Sequence, residues 1–159
     1  MSVSIRDAVT GDEPVILDFI NGLADYEKLR HESVATLADL TRDLFGAAPK
    51  VFCQIAELDG VAVGFALWFY SYSTFQGRHG IWLEDLFVPP QFRGKGIGKA
   101  LLVDLARRCV RERLGRFEWN VLDWNQPSID FYKAQGAMFL DEWKSCRLSG
   151  DALLKLGAA

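Results

Sequence analysis

The 159-residue sequence predicts a mixed α/β fold, in which helices cover one central sheet. Two apolar runs are joined by Asp59-Gly60, a dipeptide that favours the tight type I′ turn of a β-hairpin. Further along, an apolar strand at residues 81–88 leads through a glycine-rich turn into a long amphipathic helix. An antiparallel meander followed by crossover helices gives the order βααβββαβαβ, which we interpret as a single domain over residues 1–159.

The N-terminal part is predicted to contain one strand and two helices. Residues 3–6 alternate between apolar and polar side chains, as in a half-buried strand. Residues 10–14 supply a polar cap, acidic groups and an early proline, which start a helix that ends near residues 25–28. Thr36 and Asp39 are spaced as a variant capping box, so a second helix is expected to begin there.

The middle of the chain is predicted to form three meander strands. The first two are residues 51–58 and 61–72, and a turn over residues 73–78 precedes the third strand at 81–88. Because Pro89-Pro90 has no amide hydrogen to donate, it is expected to end the pairing of the third strand.

The C-terminal part alternates helices with strands. A helix over residues 99–113 is expected to end with Gly115 as its C-cap, and residues 117–121 form the next strand. That strand should lie beside the strand before the helix and parallel to it, because crossover connections are right-handed. A short helix is expected to begin at Asn125, and residues 138–148 are predicted to supply the last strands.

Composition excludes several classes of protein. Half of the residues are apolar and 13% are aromatic, which excludes disorder, and the longest apolar run, residues 61–70, is too short to span a bilayer. Residues 1–7 contain no apolar leader segment, so we expect a soluble cytoplasmic protein. The cysteines are odd in number and widely spaced, which favours reduced core residues over a disulfide framework or a zinc site: Cys53, Cys109 and Cys146. With only two histidines, we expect no metal.

The charge balance bears on the partners of the protein. The formal net charge is −3, which disfavours nucleic acid because binding to a phosphate backbone relies on a positive surface. A small cationic substrate suits this charge better. We therefore expect no nucleic-acid partner and no membrane partner.

The glycine-rich turn is predicted to bind an anion. Gly94, Gly96 and Gly98 precede a helix whose first amides have no intrahelical partner, and such amides suit phosphate or pyrophosphate. A P-loop would need a glycine in place of Arg93 and a hydroxyl residue in place of Ala100, and the spacing of the three glycines also differs from the dinucleotide fingerprint. The turn is therefore either a site for another phosphate ligand or an ordinary structural connection.

The remaining pattern, Arg93-x-x-Gly96-x-Gly98, resembles the acyl-CoA pyrophosphate loop (R/Q-x-x-G-x-G/A) of the GNAT acetyltransferase superfamily. From residue 5 to about residue 154, the chain is similar to the spermidine/spermine (diamine) N-acetyltransferases and their thialysine-acetylating relatives. Four stretches carry this similarity: residues 23–29, 82–88, 93–98 and 124–137. Residues 26–29 look closer to the thialysine relatives, and the short Asp59-Gly60 turn departs from diamine enzymes that have a longer loop. The resemblance implies a GNAT-like acyl-CoA N-acyltransferase fold.

The resemblance also implies roles for individual residues. Acetyl-CoA is the expected co-substrate, and the amine attacks its thioester directly, so no covalent enzyme nucleophile is required. Tyr132 is implied as the general acid and Glu84 as the base, acting directly or through water. Residues implied to bind acetyl-CoA are Leu86, Phe87, Val88, Arg93, Gly94, Lys95, Gly96, Ile97, Gly98, Lys99, Asn125, Pro127 and Ser128. Residues implied to bind the amine are Tyr26, Glu27, Glu84, Asp85, Glu118, Trp119, Asn120 and Glu142.

Structural explanations remain for the two catalytic candidates. Tyr132 fits a core aromatic position, and Glu84 fits an ion pair with an arginine. From the topology, Asn125 and Tyr132 are expected at the ends of adjacent strands beside the glycine loop.

The leading hypothesis is acetylation of the primary amine of a small polyamine, diamine or lysine-like amino acid of the thialysine type. The alternatives are acetylation of a protein or peptide amine and a catalytically silent CoA-binding module. By analogy with the branch, we expect a homodimer, with a patch drawn from the exposed aromatics among Trp68, Phe69, Tyr70, Tyr72 and Phe75.

Overall fold

A computed structural model describes residues 2–159 and confirms the mixed α/β class. One sheet contains five strands in sequence order. The strands are β1 (Val3–Asp7), β2 (Phe52–Leu58), β3 (Val61–Ser73), β4 (Arg78–Phe87) and β5 (Phe117–Glu118). Strands β1 to β4 pair antiparallel, and β5 pairs parallel with β4, as the crossover rule predicts.

Five α-helices accompany the sheet in the described part of the chain: α1 (Glu13–Tyr26), α2 (Leu37–Phe45), α3 (Ile97–Arg111), α4 (Gln126–Ala134) and α5 (Gly150–Gly157). Within residues 2–159, none of these helices has the length and apolar character needed to cross a membrane. The chain divides into two compact units, Met1–Asn120 and Val121–Ala159. The first unit contains the whole sheet with α1 to α3, and the second contains α4 and α5.

The predicted Asp59-Gly60 turn and Thr36 capping box are confirmed, whereas Asp12, the N-cap of α1, forms no side-chain capping hydrogen bond. Asp59 and Gly60 have φ angles of 51° and 78°, both positive, as a type I′ turn requires. The Thr36 side chain accepts a hydrogen bond from the Asp39 amide, and the Asp39 carboxylate accepts one from the Thr36 amide over 2.9 Å. This reciprocal capping box starts α2 at the predicted position.

The ends of α3 differ from the prediction. The helix begins at Ile97 because Gly96, with φ of 77°, is its N-cap in the left-handed conformation. It ends at Arg111, and Arg113 takes the left-handed position with φ of 56°. The amide of Leu114 donates to the carbonyl of Cys109 over 2.9 Å, which completes a Schellman motif without glycine. The prediction that Gly115 is the C-cap is therefore wrong.

The prediction of strands over residues 138–148 is also wrong. The structure has turns and irregular backbone there, and α5 follows, so the observed order is βααβββαβαα. Apolar residues of this segment are exposed; the relative exposure is 83% for Met138 and 75% for Trp143. Within the described chain, this segment has no partner strand, and no other element covers its apolar side chains. The strand predicted at residues 117–121 is shorter, at Phe117–Glu118.

One face of the sheet carries a core that α1 and α2 cover. Its buried members are Ile16, Phe19, Leu40, Leu44, Cys53, Ile55, Phe65, Leu67 and Phe87. Glycine at position 22 lets α1 approach β4, because a Cβ atom there would lie 2.7 Å from the Phe87 ring. Helix α1 therefore ends directly over the C-terminal half of β4.

The predicted core position of Cys146 is wrong, and the list of candidate aromatics for an exposed patch becomes shorter. Trp68 is buried at 1% relative exposure, because its ring stacks on Phe52 and its indole nitrogen donates to Gln54. It therefore cannot belong to an exposed aromatic patch, unlike Tyr70, Tyr72 and Phe75. Cys53 and Cys109 are buried as predicted, whereas Cys146 is exposed, and all three are free thiols.

Candidate functional site

A β-bulge in β4 positions the first candidate catalytic residue. Leu67 of β3 pairs with Asp85, and Trp68 pairs with Leu83, so Glu84 is an extra residue without a cross-strand partner. Bulges interrupt the alternation of a strand and redirect side chains, which is why Glu84 and Asp85 do not simply face opposite sides. The Glu84 carboxylate is exposed and accepts a hydrogen bond from the Trp82 indole nitrogen over 3.0 Å. Among residues 2–159 it forms no ion pair with an arginine, so that structural alternative is wrong.

A cluster of three carboxylates forms where α1 ends over β4. Asp85 is partly buried, and burial together with the charges of Glu84 and Glu27 raises its pKa to about 7. Burial and the Glu84 charge also raise the pKa of Glu27, the C-cap residue of α1. The negative charges of Glu84 and Glu27 therefore oppose ionisation of Asp85, and a bound cation would relieve that repulsion. The cluster brings together three of the predicted amine-binding residues.

The other predicted amine-binding residues have different surroundings. Glu118 forms an ion pair with Arg116 over 2.7 Å, and Trp119 packs against Phe117 with ring centroids 4.9 Å apart. Asn120 is exposed at the end of the first unit, and Glu142 is exposed in the second. Glu118 therefore already has a basic partner, and the roles of these four residues at the amine site stay predictions.

The glycine loop joins the end of β4 to α3 and has open space around it. Gly94 and Gly96 have φ angles of 76° and 77°, and a Cβ atom at either position would meet nothing within 4 Å. Glycine is therefore required there by the backbone conformation, since the left-handed region is strained for other residues. Gly96 has no side chain with which to cap α3, so the first-turn amides face outward with the positive end of the helix dipole. Lys95 is exposed on this loop, and Lys99 is exposed in the first turn of α3.

These groups fit a pyrophosphate. Backbone amides at a helix N-terminus donate to phosphate oxygens, and lysine side chains add positive charge. Before the loop, Leu86 and Phe87 end β4, and Val88 is followed by Pro89 and Pro90, which have no amide hydrogens. No group of three or more His, Cys, Asp or Glu side chains within residues 2–159 is arranged to hold a metal ion.

The remaining acetyl-CoA and catalytic candidates lie at the start of the second unit. Asn125 is the buried N-cap of α4, and its side-chain oxygen accepts from the Ser128 amide over 3.4 Å. Pro127 occupies the first turn of that helix. Tyr132 lies one turn after Ser128 and is buried at 9% relative exposure, with its ring against Phe131. The expectation that Asn125 and Tyr132 adjoin the glycine loop stays a prediction.

Two structural features of the site were missed in the sequence. Trp82 orients Glu84 from two residues earlier on β4, a spacing at which side chains of a strand share a face and which could have indicated the contact. The Arg93 guanidinium lies over the rings of Tyr26 and Phe87, at 4.9 and 5.7 Å from their centroids. No local pattern reveals this contact, because residues 26 and 93 are far apart in the sequence.

Comparison with known proteins identifies the family. Residues 19–137 match the family described as acetyltransferase (GNAT) family. The chain belongs to the GNAT acetyltransferases. This membership makes it an N-acetyltransferase, an enzyme class that transfers acetyl groups to amines with acetyl-CoA as co-substrate, and it confirms the predicted resemblance.

Individual relatives are similar to this chain over nearly its whole length. It is 38% identical over 166 residues to a thialysine N-ε-acetyltransferase from Sus scrofa, covering 98% of this chain and 97% of the relative. It is 33% identical over 194 residues to an L-ornithine N5-acetyltransferase from Arabidopsis thaliana, covering 94% of this chain and 85% of the relative. A solved structure, an integron cassette protein from V. cholerae, matches with a TM-score of 0.79 at 27% identity and covers 100% of this chain and 99% of that one.

Proposed function

We propose that this protein transfers the acetyl group of acetyl-CoA directly to the primary amine of a small polyamine, diamine or lysine-like amino acid, most closely the thialysine type. The observation that carries the proposal is the pair Glu84 and Asp85 at the β4 bulge, together with Glu27 at the end of α1, whose charge contributes to the raised pKa of Asp85. Three neighbouring carboxylates favour a cationic amine over a neutral or anionic acceptor. The names of the thialysine and ornithine relatives support a basic amino acid as the acceptor.

On the acetyl-CoA side, the proposal uses the loop at the start of α3. The amides and lysines of residues 93–99 bind the pyrophosphate, and the backbone of residues 86–88 binds the pantetheine arm and polarises the thioester carbonyl. Asn125, Pro127 and Ser128 line the same arm. The family match at residues 19–137 begins in the first compact unit and extends into the second, which supports one catalytic domain.

The proposed reaction requires two proton transfers. The substrate ammonium gives one proton to Glu84, directly or through water, and the neutral amine then attacks the thioester carbonyl. A carbon–nitrogen bond forms and the carbon–sulfur bond breaks. Tyr132 donates its phenolic proton to the departing CoA thiolate. Asp85, with a pKa of about 7, is a second carboxyl able to accept a proton near neutral pH.

A panel of amines tests the proposed function. Release of the CoA thiol is measured with thialysine, lysine, ornithine, spermidine, putrescine and a peptide that has a free N-terminus. We expect the highest kcat/KM for thialysine or another small dibasic amine. A preference for the peptide would instead indicate a protein acetyltransferase. Binding of acetyl-CoA without thiol release for any amine would indicate a silent CoA-binding module.

A further inference from the structure

The side chain of Arg93 turns back from the glycine loop toward the end of α1. Its Nε–H donates to the carbonyl oxygen of Val88 over 2.8 Å. Its Cζ lies 4.9 Å from the centroid of the Tyr26 ring and 5.7 Å from that of the Phe87 ring. Among residues 2–159, no carboxylate lies within ion-pair distance of this guanidinium, which contacts one carbonyl and two aromatic faces.

These contacts of Arg93 involve three parts of the first unit. Val88 follows the last residue of β4 and precedes two prolines, so its carbonyl lies beyond the paired part of the strand, where it accepts the hydrogen bond from Arg93. Tyr26 lies four residues after Gly22, on the face of α1 that approaches Phe87. Arg93 therefore joins the last turn of α1, the end of β4 and the start of the glycine loop.

From this geometry we propose that Arg93 is a positioning residue that holds Tyr26 and the following Glu27 in place for the amine, beyond any contribution to phosphate binding. The proposal rests on the function proposed above. An arginine suits this task because its planar guanidinium stacks on aromatic faces while the Nε–H bonds a carbonyl in the same plane. Lysine has the charge but neither the plane nor the Nε–H.

The consequence is a connection between the two substrate sites. A residue that only bound phosphate would affect acetyl-CoA affinity and leave the amine unaffected. A residue that positions Tyr26 and Glu27 would affect the amine KM, since Glu27 belongs to the carboxylate cluster. The two roles therefore differ in which of the two substrates responds to substitution.

Steady-state kinetics with thialysine, together with calorimetric titration of acetyl-CoA, separate these roles. We expect Arg93→Gln to raise the thialysine KM about fivefold, with the acetyl-CoA Kd changed less than about twofold. Arg93→Lys should show most of the same increase in the thialysine KM. The control Arg107→Gln removes an exposed positive charge from α3 and should change neither value. A defect confined to the acetyl-CoA Kd, or full rescue by lysine, would overturn the proposal.

A double-mutant cycle tests the contact with Tyr26. Tyr26→Leu should raise the thialysine KM to a similar extent. If the two residues act through one contact, Arg93→Gln combined with Tyr26→Leu should cost little more than either variant alone. Strictly multiplicative effects on KM would show that the two side chains act independently and would contradict the proposal.

Hydrogen exchange provides a readout that requires no activity. The amides of Glu27, Lys28 and Leu29 donate to carbonyls of α1 over 2.8 to 3.1 Å and are expected to be protected. Their exchange should become faster in Arg93→Gln and stay unchanged in Arg107→Gln. Unchanged exchange in Arg93→Gln would overturn the positioning role. If the wild-type protein acetylates no amine, the proposed function fails, and this measurement alone still decides whether Arg93 positions the end of α1.

Discussion

Asp85 lies directly opposite Leu67 in the ladder between β3 and β4. Directly paired residues point to the same face of a sheet, so the Asp85 carboxyl shares its face with a member of the hydrophobic core. Burial is accordingly the largest cause that raises its pKa to about 7, ahead of the charges of Glu84 and Glu27. A carboxyl with this pKa changes charge in the pH range where an amine acetyltransferase must control protons.

Asp85→Asn is expected to stabilise the fold at pH 8 and to do so much less at pH 4.5. An unfolded aspartate has a pKa of about 3.9, so between pH 4 and 7 the native protein binds more protons than the unfolded chain. The free energy of unfolding of the wild type therefore falls as the pH rises through this range, and asparagine removes that loss. Urea denaturation at both pH values measures the difference. The control Asp18→Asn changes an exposed carboxylate on α1, and an equal effect of Asp85→Asn at both pH values would contradict the raised pKa.

Local signals predicted most of the first unit, because each one is contained in a few adjacent residues. The Asp59-Gly60 turn, the Thr36 capping box and the glycine loop before α3 each follow from backbone preferences of short segments. The strands predicted at residues 138–148 failed because strand formation depends on a partner strand, which a local apolar pattern does not supply.

The candidate site was predictable in part for the same reason. The residue types of the glycine loop and of Glu84-Asp85 are visible in the sequence. The bulge that aims Glu84, and the contact of Arg93 with Tyr26, depend on how distant segments meet. Pairing register and tertiary contacts of this kind are fixed by the folded structure and by no single segment.

Acetyl-CoA is expected to raise the thermal midpoint of the protein, whereas NADH and ATP are expected to leave it unchanged. The loop at Gly94 to Gly98 differs from both nucleotide fingerprints but fits the pyrophosphate of an acyl-CoA. A ligand that binds only the native state stabilises it increasingly with concentration. Scanning fluorimetry over a concentration series makes the measurement. A midpoint that does not move at millimolar acetyl-CoA would refute acetyl-CoA dependence, and an equal rise with ATP would refute the specificity.

The protein is expected to form a homodimer in solution. Tyr72 and Phe75 are exposed on the long β3–β4 hairpin, at 54% and 102% of their reference areas, and exposed aromatics of this kind favour an interface. Light scattering at micromolar concentration should give about twice the chain mass of 17.9 kDa. Tyr72→Ser combined with Phe75→Ser should shift the mass toward the monomer, whereas Val9→Ser, at another exposed apolar residue, should not. A wild-type mass near 18 kDa would refute the dimer.

Tyr132→Phe is expected to lower kcat by roughly 10²- to 10⁴-fold while the acetyl-CoA affinity changes little. Phenylalanine keeps the aromatic ring in its buried position and removes only the phenolic proton that the thiolate would take. Single-turnover rates of thiol release measure the chemical step. Tyr70→Phe is a matched control, since Tyr70 lies on β3 and its phenol donates a hydrogen bond to Glu112 at the end of α3. Full turnover of Tyr132→Phe would mean that solvent or another group protonates the thiolate.

Glu84→Gln is expected to give a different kinetic signature from Tyr132→Phe. Glutamine keeps an acceptor for the Trp82 indole but removes the charge that attracts the ammonium and helps to deprotonate it. The amine KM should therefore rise, and activity should recover in part at high pH, where more of the amine is already neutral. The pH profile of kcat/KM from pH 6 to 10 makes the measurement, with Glu32→Gln as the control because that carboxylate is exposed on the turn after α1.

If both Glu84→Gln and Tyr132→Phe lost activity equally, with an unchanged amine KM and one pH profile, the acid and base roles would have to be given to other residues. Asp85 would then be the first candidate for the base, because its pKa of about 7 matches proton transfer at neutral pH.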